Sequence, residues 1–309
     1  MLRLGLIGAG RWGKRYIHTI NLIQDIKLAH VCSTKEDVRS FVIGECLVSQ
    51  EWQRLVDNPE LDGLIIASPP NSHFDISMQA IRAKVPILIE KPLTLNLEQA
   101  QEIKRFSTEQ EVFVMVGHTH LYSEAFRTLK SIGKKLGRLL SVSSIGGAWG
   151  PFRIDTPMLW DWAPHDISMC LDLFEAYPSS IKCKTNSVFK AQEFSGEEKE
   201  VSLIFPDGAK AKIVVSNINK VKTRFFEAEY EGGTLIYDDQ SIYKLKLKLG
   251  PNILSQVQSF SLPGFFPLDY LVREFAQGIR LKNKTDRGLD IGLEVVKILD
   301  KCEEICFPK

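Results

Sequence analysis

The sequence predicts an α/β protein in which a doubly wound parallel sheet is followed by an α+β domain with an open, predominantly antiparallel sheet. Three observations carry this. As far as Gly117, short apolar runs alternate with stretches of helical periodicity, the strand-helix-strand repeat that builds a parallel sheet with helices on both faces. After a helical pattern from about Tyr122 to Leu136, strands follow one another with turn signals between them, as antiparallel neighbours do. The 309 residues correspond to about two domains of ~150 residues, each able to bury a core of its own.

In the first half Leu2 to Ile7, Ile26 to Cys32, Leu64 to Ser68, Pro86 to Glu90 and Val112 to Gly117 read as strands. The stretches Gly13 to Ile23, Glu51 to Val56, His73 to Ala83 and Leu97 to Gln110 repeat apolar residues every three or four positions and read as helices. In the second half Val201 to Phe205 and Ala209 to Val215 flank Pro206, Asp207 and Gly208, a hairpin signal. Tyr243 to Leu249 alternates Lys and Leu as a strand with one wet face must. Two helical patterns close the chain, Leu268 to Arg280 and Arg287 to Ile305. The domain boundary is expected near Ser123, giving domains 1–122 and 123–309, with no flexible linker, repeat or low-complexity segment.

Composition narrows the function classes. Lys and Arg number 39 against 38 Asp and Glu, a net charge of +1, so neither a nucleic-acid-binding surface nor an acidic tail is indicated. No apolar run approaches the ~18 residues of a membrane-spanning helix. The glycine motif begins at Gly8, which leaves no room ahead of it for a secretory leader, and a cytoplasmic protein is the expectation. The cysteines, Cys32, Cys46, Cys170, Cys183, Cys302 and Cys306, include no C-x-x-C pair and are read as reduced, mostly buried thiols.

The segment Gly8-Ala9-Gly10-Arg11-Trp12-Gly13 is G-x-G-x-x-G between a strand and a helix. In that context Gly8 permits the tight turn, Gly10 lets the backbone approach a pyrophosphate, and Gly13 lets helix and sheet close on each other. A pyrophosphate there rests on the helix N-terminus, where free N–H groups favour an anion. The reading is therefore a Rossmann domain binding NAD(P). Where the usual fingerprint has a carboxylate for the ribose hydroxyls, the second strand ends Cys32-Ser33-Thr34-Lys35. Two hydroxyls and a cation accept a 2′-phosphate that a carboxylate would repel, so NADP is favoured over NAD. A register slip of two or three residues would instead present Glu36 or Asp37.

Two further constellations carry chemistry. Glu90-Lys91-Pro92 follows the fourth predicted strand, at the carboxyl edge where open parallel sheets bind ligands, and Pro92 biases Lys91 toward an extended backbone, with a cis bond open to it. By itself, a lysine before a proline is usually a solvated cation. Asp161 and His165 in Trp160-Asp161-Trp162-Ala163-Pro164-His165-Asp166 are spaced i, i+4. On a helix that spacing sets a carboxylate beside an imidazole, as a proton-transfer group requires. The bland alternative makes Asp161 a cap for a helix that Pro164 helps start.

In order and at these spacings the chain resembles the Gfo/Idh/MocA oxidoreductases, named after glucose-fructose oxidoreductase, inositol dehydrogenase and a rhizopine catabolism protein. The resemblance rests on the glycine motif, Ser68-Pro69-Pro70-Asn71-Ser72-His73, Glu90-Lys91-Pro92, Val116-Gly117-His118 and the D-x-x-x-H of Asp161 and His165. It implies a catalytic group of Lys91, Asp161 and His165. It also implies a coenzyme site of Gly8, Gly10, Arg11, Trp12, Gly13, Ser33, Thr34, Lys35, Ser68, Pro69, Asn71, His73, Glu90 and Lys91. The substrate, a sugar or nucleotide sugar, would meet Lys91, His118, Arg153, Asp161 and His165. Ser33 departs from the Asp that many members carry, which bears on the coenzyme and leaves the chemistry untouched.

Arg153 is read as a candidate partner for a nucleotide-sugar diphosphate. No metal is expected, because no cysteine or carboxylate cluster joins His118 and His120. Cys302 and Cys306, four apart, are read as packing residues. The remaining alternatives are a reductase of another small carbonyl compound and a catalytically silent NAD(P)-binding regulator. Open sheets tend to pair, so a homodimer or homotetramer is expected.

Overall fold

A computed structural model describes residues 1–250, 257–262 and 266–307. Two compact units are present, residues 1–118 with 268–296, and residues 119–267 with 297–309.

The first unit holds a six-stranded, wholly parallel sheet: β1 (Leu2–Ile7), β2 (Ile26–Cys32), β3 (Leu47–Ser49), β4 (Gly63–Ile66), β5 (Ile87–Glu90) and β6 (Val114–Gly117), in the order β3-β2-β1-β4-β5-β6. The order reverses at β1, the switch point at which doubly wound sheets open a ligand crevice. Helices α1 (Arg11–Asn21), α2 (Gln53–Val56), α3 (His73–Arg82) and α4 (Leu97–Gln110) connect the strands. Strands β4, β5 and β6 are buried from end to end, which is why they read as continuous apolar runs. Helix α1 buries Tyr16, Ile17 and Ile20, each fully buried apolar side chain contributing ~1.5–3 kcal/mol. Asn96 starts α4 by accepting a 2.9 Å hydrogen bond from the Gln99 amide, a side-chain cap.

The second unit begins with α5 (Glu124–Gly133), β7 (Leu139–Trp149) and α6 (Met158–Phe174). Strands β8 (Ser180–Lys190), β9 (Ser195–Ile204), β10 (Lys210–Ser216), β11 (Ile218–Tyr230), β12 (Gly233–Asp238), β13 (Leu245–Lys248) and β14 (Val257–Phe260) follow. They form one sheet with β7, in the order β14-β13-β12-β11-β7-β10-β9-β8. Every neighbouring pair is antiparallel except β7 with β10. Helix α6 packs on β10, β7 and β9, and α5 on β12 and β13. Ile145, Trp149, Val188 and Phe189 stay exposed. Helices α7 (Pro267–Arg280) and α8 (Arg287–Cys306) complete the chain.

All six cysteines are free thiols, and five are buried. Among the described residues no helix is long and apolar enough to cross a membrane.

Candidate functional site

The turn after β1 is built as the glycine spacing predicts. Gly8 has φ +96°, a left-handed conformation, and a Cβ there would lie 2.6 Å from the Ser68 amide nitrogen. A Cβ on Gly13 would lie 2.0 Å from the Gly8 carbonyl oxygen, so the helix can close on the turn only without a side chain. Gly10 differs: nothing lies within 4 Å of the Cβ it lacks. Helix α1 therefore presents an uncovered N-terminus, with no acidic residue in its first turn and no side-chain cap. Open backbone amides at a helix N-terminus suit a pyrophosphate, and the residues present fit a dinucleotide.

The other sequence-predicted positions of this unit gather along the same carboxyl edge, because the parallel register aligns the strand ends. Ile7 pairs with Cys32 and Ile66, Ile66 with Ile89, and Glu90 with Gly117. Strand β2 ends at Cys32, so Ser33 follows it directly and no register slip occurs. The Ser33 hydroxyl accepts from the Lys35 amide at 3.0 Å, while Thr34 and Lys35 are exposed. Asp37, the carboxylate a slip would have presented, pairs with Lys14 at 2.6 Å, and that guanidinium-free ion pair holds its carboxyl below the usual range. Arg11 is exposed, and Arg15 stacks over Trp12 at 4.7 Å.

Loop positions behind this edge are clasped by His73, whose Nδ1 and Nε2 lie 3.0 Å from the carbonyl oxygens of Pro92 and Ser68. His73 thus joins the loop after β4 to the loop after β5. Ser68 and Ser72 share a 2.7 Å hydroxyl hydrogen bond. The Lys91-Pro92 bond is cis. Glu90 is buried beneath Lys91, accepting a hydrogen bond from the Tyr16 hydroxyl at 2.6 Å and from the Lys91 amide at 3.2 Å. Burial pushes its carboxyl up, opposed by the Tyr16 hydrogen bond and the Lys91 charge. His118 is 1% exposed, and neither ring nitrogen has a hydrogen-bond partner among the described residues. Burial, reinforced by the Lys91 charge, lowers its pKa to about 3, so the ring is neutral.

In the second unit Asp161 and His165 both lie on α6, as their spacing predicts. The helix starts at Met158, which puts Asp161 in its first turn and Pro164 in its interior, so Pro164 does not open the helix. The Asp161 carboxylate lies 3.6 Å from the Arg153 guanidinium. Arg153 also forms a bidentate pair with Asp155, both bonds 2.9 Å.

His165 is held from below and beside. Its neighbour Asp166 is fully buried and bonded to the Ser144 hydroxyl and the Arg224 guanidinium, which pins α6 to β7 and β11. Ser168 donates to the His165 carbonyl at 2.8 Å. The His120 ring meets the His165 ring edge to face at 4.9 Å, and His120 Nδ1 lies 2.9 Å from the Tyr237 hydroxyl. Burial raises the Tyr237 pKa, which keeps that hydroxyl a donor. Tyr16, Tyr237, Arg224 and Ser144 carry no sequence signal of their own. Asp166 does, standing directly after His165 in the quoted motif.

Comparison with known proteins agrees with this geometry. The family described as "Oxidoreductase family, NAD-binding Rossmann fold" matches residues 2–118. A crystal structure from Magnetospirillum magnetotacticum MS-1, assigned to the oxidoreductases, is 35% identical and covers 97% of this chain and 99% of its own, with a TM-score of 0.90. UDP-N-acetylglucosamine 3-dehydrogenase of Acidithiobacillus ferrooxidans is 27% identical over 59% of this chain and 57% of its own. Its solved structure superposes with a TM-score of 0.85, at 19% identity and over 99% of this chain and 97% of that one, which is a likeness of fold. Myo-inositol 2-dehydrogenase of Thermotoga maritima is 25% identical over 54% of this chain and 53% of its own. The chain spans about half the length of these curated relatives.

Proposed function

This chain belongs to the Gfo/Idh/MocA oxidoreductase family, with its NAD-binding Rossmann fold, and on that premise we propose that it is an NAD(P)-dependent dehydrogenase or reductase acting on a CH–OH group of a sugar or nucleotide sugar. The observation that carries the reading is the common carboxyl edge of the parallel sheet. The open Gly10 turn and Lys91 stand along it, a dinucleotide seat and an ammonium group on one sheet.

Backbone amides at the start of α1 would hold the pyrophosphate of a bound coenzyme, and Thr34 and Lys35 would meet its adenosine ribose. A bound nicotinamide supplies or takes up the hydride. In the oxidative direction, as the family resemblance implies, His165 would accept the proton of the substrate hydroxyl and the Lys91 ammonium would hold the oxygen as negative charge develops on it, with either residue able to serve as the formal base. Asp161, one helical turn before His165 on α6, would orient it. In the reductive direction, on the same implication, Lys91 would polarise the ketone and His165 would return the proton. Glu90 and His73 serve by fixing the backbone on either side of Lys91, and neutral His118 lies inside the core of the same unit.

Exposed Thr34 and Lys35 after β2, with no carboxylate at Ser33, support NADP over NAD. Tighter binding of NADH than of NADPH at one stated salt concentration would overturn that preference. Exposed Ile145, Trp149, Val188 and Phe189 support a homodimer or homotetramer, which a monomeric mass by light scattering would contradict. The activity is tested by screening free sugars, cyclitols and nucleotide sugars against both coenzymes, following reduced-nicotinamide absorbance. Coenzyme binding without turnover on any of them would leave a silent nucleotide-binding protein.

A further inference from the structure

A cavity of about 250 Å³ opens in the second unit, bounded by the start of α6 and the ends of β9 and β10. Its polar wall includes Arg153, Asp161, Glu197 and Asn217, and Pro157 and Val188 supply apolar surface. Asn217 is 4% exposed. Its side-chain carbonyl accepts from the Glu197 amide at 2.8 Å, and its amide nitrogen makes no hydrogen bond among the described residues. Glu197 pairs with buried Lys199 at 3.2 Å. Size and chemistry suit one ring: the volume falls below the ~300–1,000 Å³ of drug-sized ligand sites.

Charge decides which ring. Arg153 looks like an anion receptor in the sequence, but both arms of its fork are occupied by Asp155 and its remaining nitrogen faces Asp161. Three carboxylates, Asp155, Asp161 and Glu197, stand against two cations, Arg153 and Lys199, leaving one net negative charge. A phosphoryl group entering here must displace Asp155 and meet the other carboxylates. Hydroxyl groups face no such penalty: they donate to Asp161 and Glu197 and accept from the Asn217 amide.

We propose that this cavity seats the non-reacting part of an unphosphorylated polyhydroxylated ring, neutral or amine-bearing, and rejects phosphorylated rings, which narrows the substrate reading above to free sugars and cyclitols. The proposal rests on the oxidoreductase reading for its link to turnover, through Asp161, and on the cavity alone for binding.

The test is calorimetric titration of the coenzyme-loaded protein with D-glucose, D-glucosamine and D-glucose 6-phosphate. The two unphosphorylated probes are expected to bind at least about tenfold more tightly than the phosphate ester, the size of one favourable charged pairing. Asp155→Asn, at an exposed position, should free the Arg153 fork and improve binding of the phosphate ester by about threefold or more, with D-glucose little changed. Asn217→Ala should weaken D-glucose while Asp155→Asn does not. Tighter binding of the phosphate ester by the wild type, no binding of any probe, or affinities indifferent to both substitutions would overturn the proposal. Selective binding without turnover of any sugar would instead overturn the oxidoreductase reading and leave the cavity assignment standing.

Discussion

The hydroxyl of Tyr16 donates a 2.6 Å hydrogen bond to the carboxyl group of Glu90, across 74 residues of sequence and inside the core of the coenzyme-binding unit. Tyr16 lies on the helix that follows the glycine turn, and Glu90 also accepts from the amide of Lys91. One buried carboxyl group therefore ties the dinucleotide seat to the lysine proposed to hold the reacting oxygen. An unsatisfied partner left in that core costs about 1–3 kcal/mol, so the arrangement resists local drift.

That carboxyl makes stability depend on pH. Burial holds Glu90 above its ordinary value of 4.5, against the Tyr16 hydrogen bond and the Lys91 charge. The folded chain thus binds this proton more tightly than the unfolded chain. Its contribution is complete below 4.5 and is lost as pH rises through the folded value. Glu90→Gln keeps an acceptor for Tyr16 and removes the titration. Urea unfolding at about pH 4 and about pH 7 should show the variant gaining stability relative to wild type at the higher pH. A constant difference would contradict this.

His118 acts in the opposite direction. Its pKa is lowered from 6.5 to about 3 by burial and by Lys91, so unfolding takes up a proton. Stability from this group is complete above 6.5 and declines as pH falls toward 3. Between about pH 7.5 and about pH 5.5 wild type should lose on the order of 1 kcal/mol more than His118→Gln, measured by denaturant unfolding. Equal losses would show that His118 is not buried as described.

The glycines separate folding from coenzyme binding. Gly13→Ala drives a Cβ to 2.0 Å from the Gly8 carbonyl and should lower Tm with or without coenzyme. Gly10→Val meets open space and an extended backbone with φ −70°. Its Tm without coenzyme should match wild type, while the Tm rise produced by NADPH should shrink or vanish. A full NADPH-induced rise in Gly10→Val would remove the turn from the binding site.

Lys91→Ala should lower kcat at least ~100-fold with coenzyme affinity little changed, the scale of a lost acid-base or charge-stabilising group. Steady-state turnover with direct coenzyme titration measures both. Near wild-type turnover would exclude Lys91 from the mechanism.

Local elements were legible because their causes are local. Strands β1 and β2 and helix α4 begin and end where periodicity places them, since a fully buried strand shows an unbroken apolar run and a helix repeats its apolar face. The glycine turn was legible for the same reason: its spacing is dictated by backbone clearances within a few residues. Arg153 reads as free in the sequence, because the carboxylates folded against it are located only by the tertiary structure.

What the sequence determined by itself is the order of elements, the glycine seat and the chemical types available: an amine after β5, and an acid and an imidazole one turn apart on α6. Tertiary structure decided which charges are spent and which are open. Tyr16 found Glu90, Arg224 found Asp166 across 58 residues, and Tyr237 found His120 across 117. Hydrogen bonds and ion pairs act over a few ångströms of space whatever their separation along the chain, so these pairings exist only once the sheets have formed.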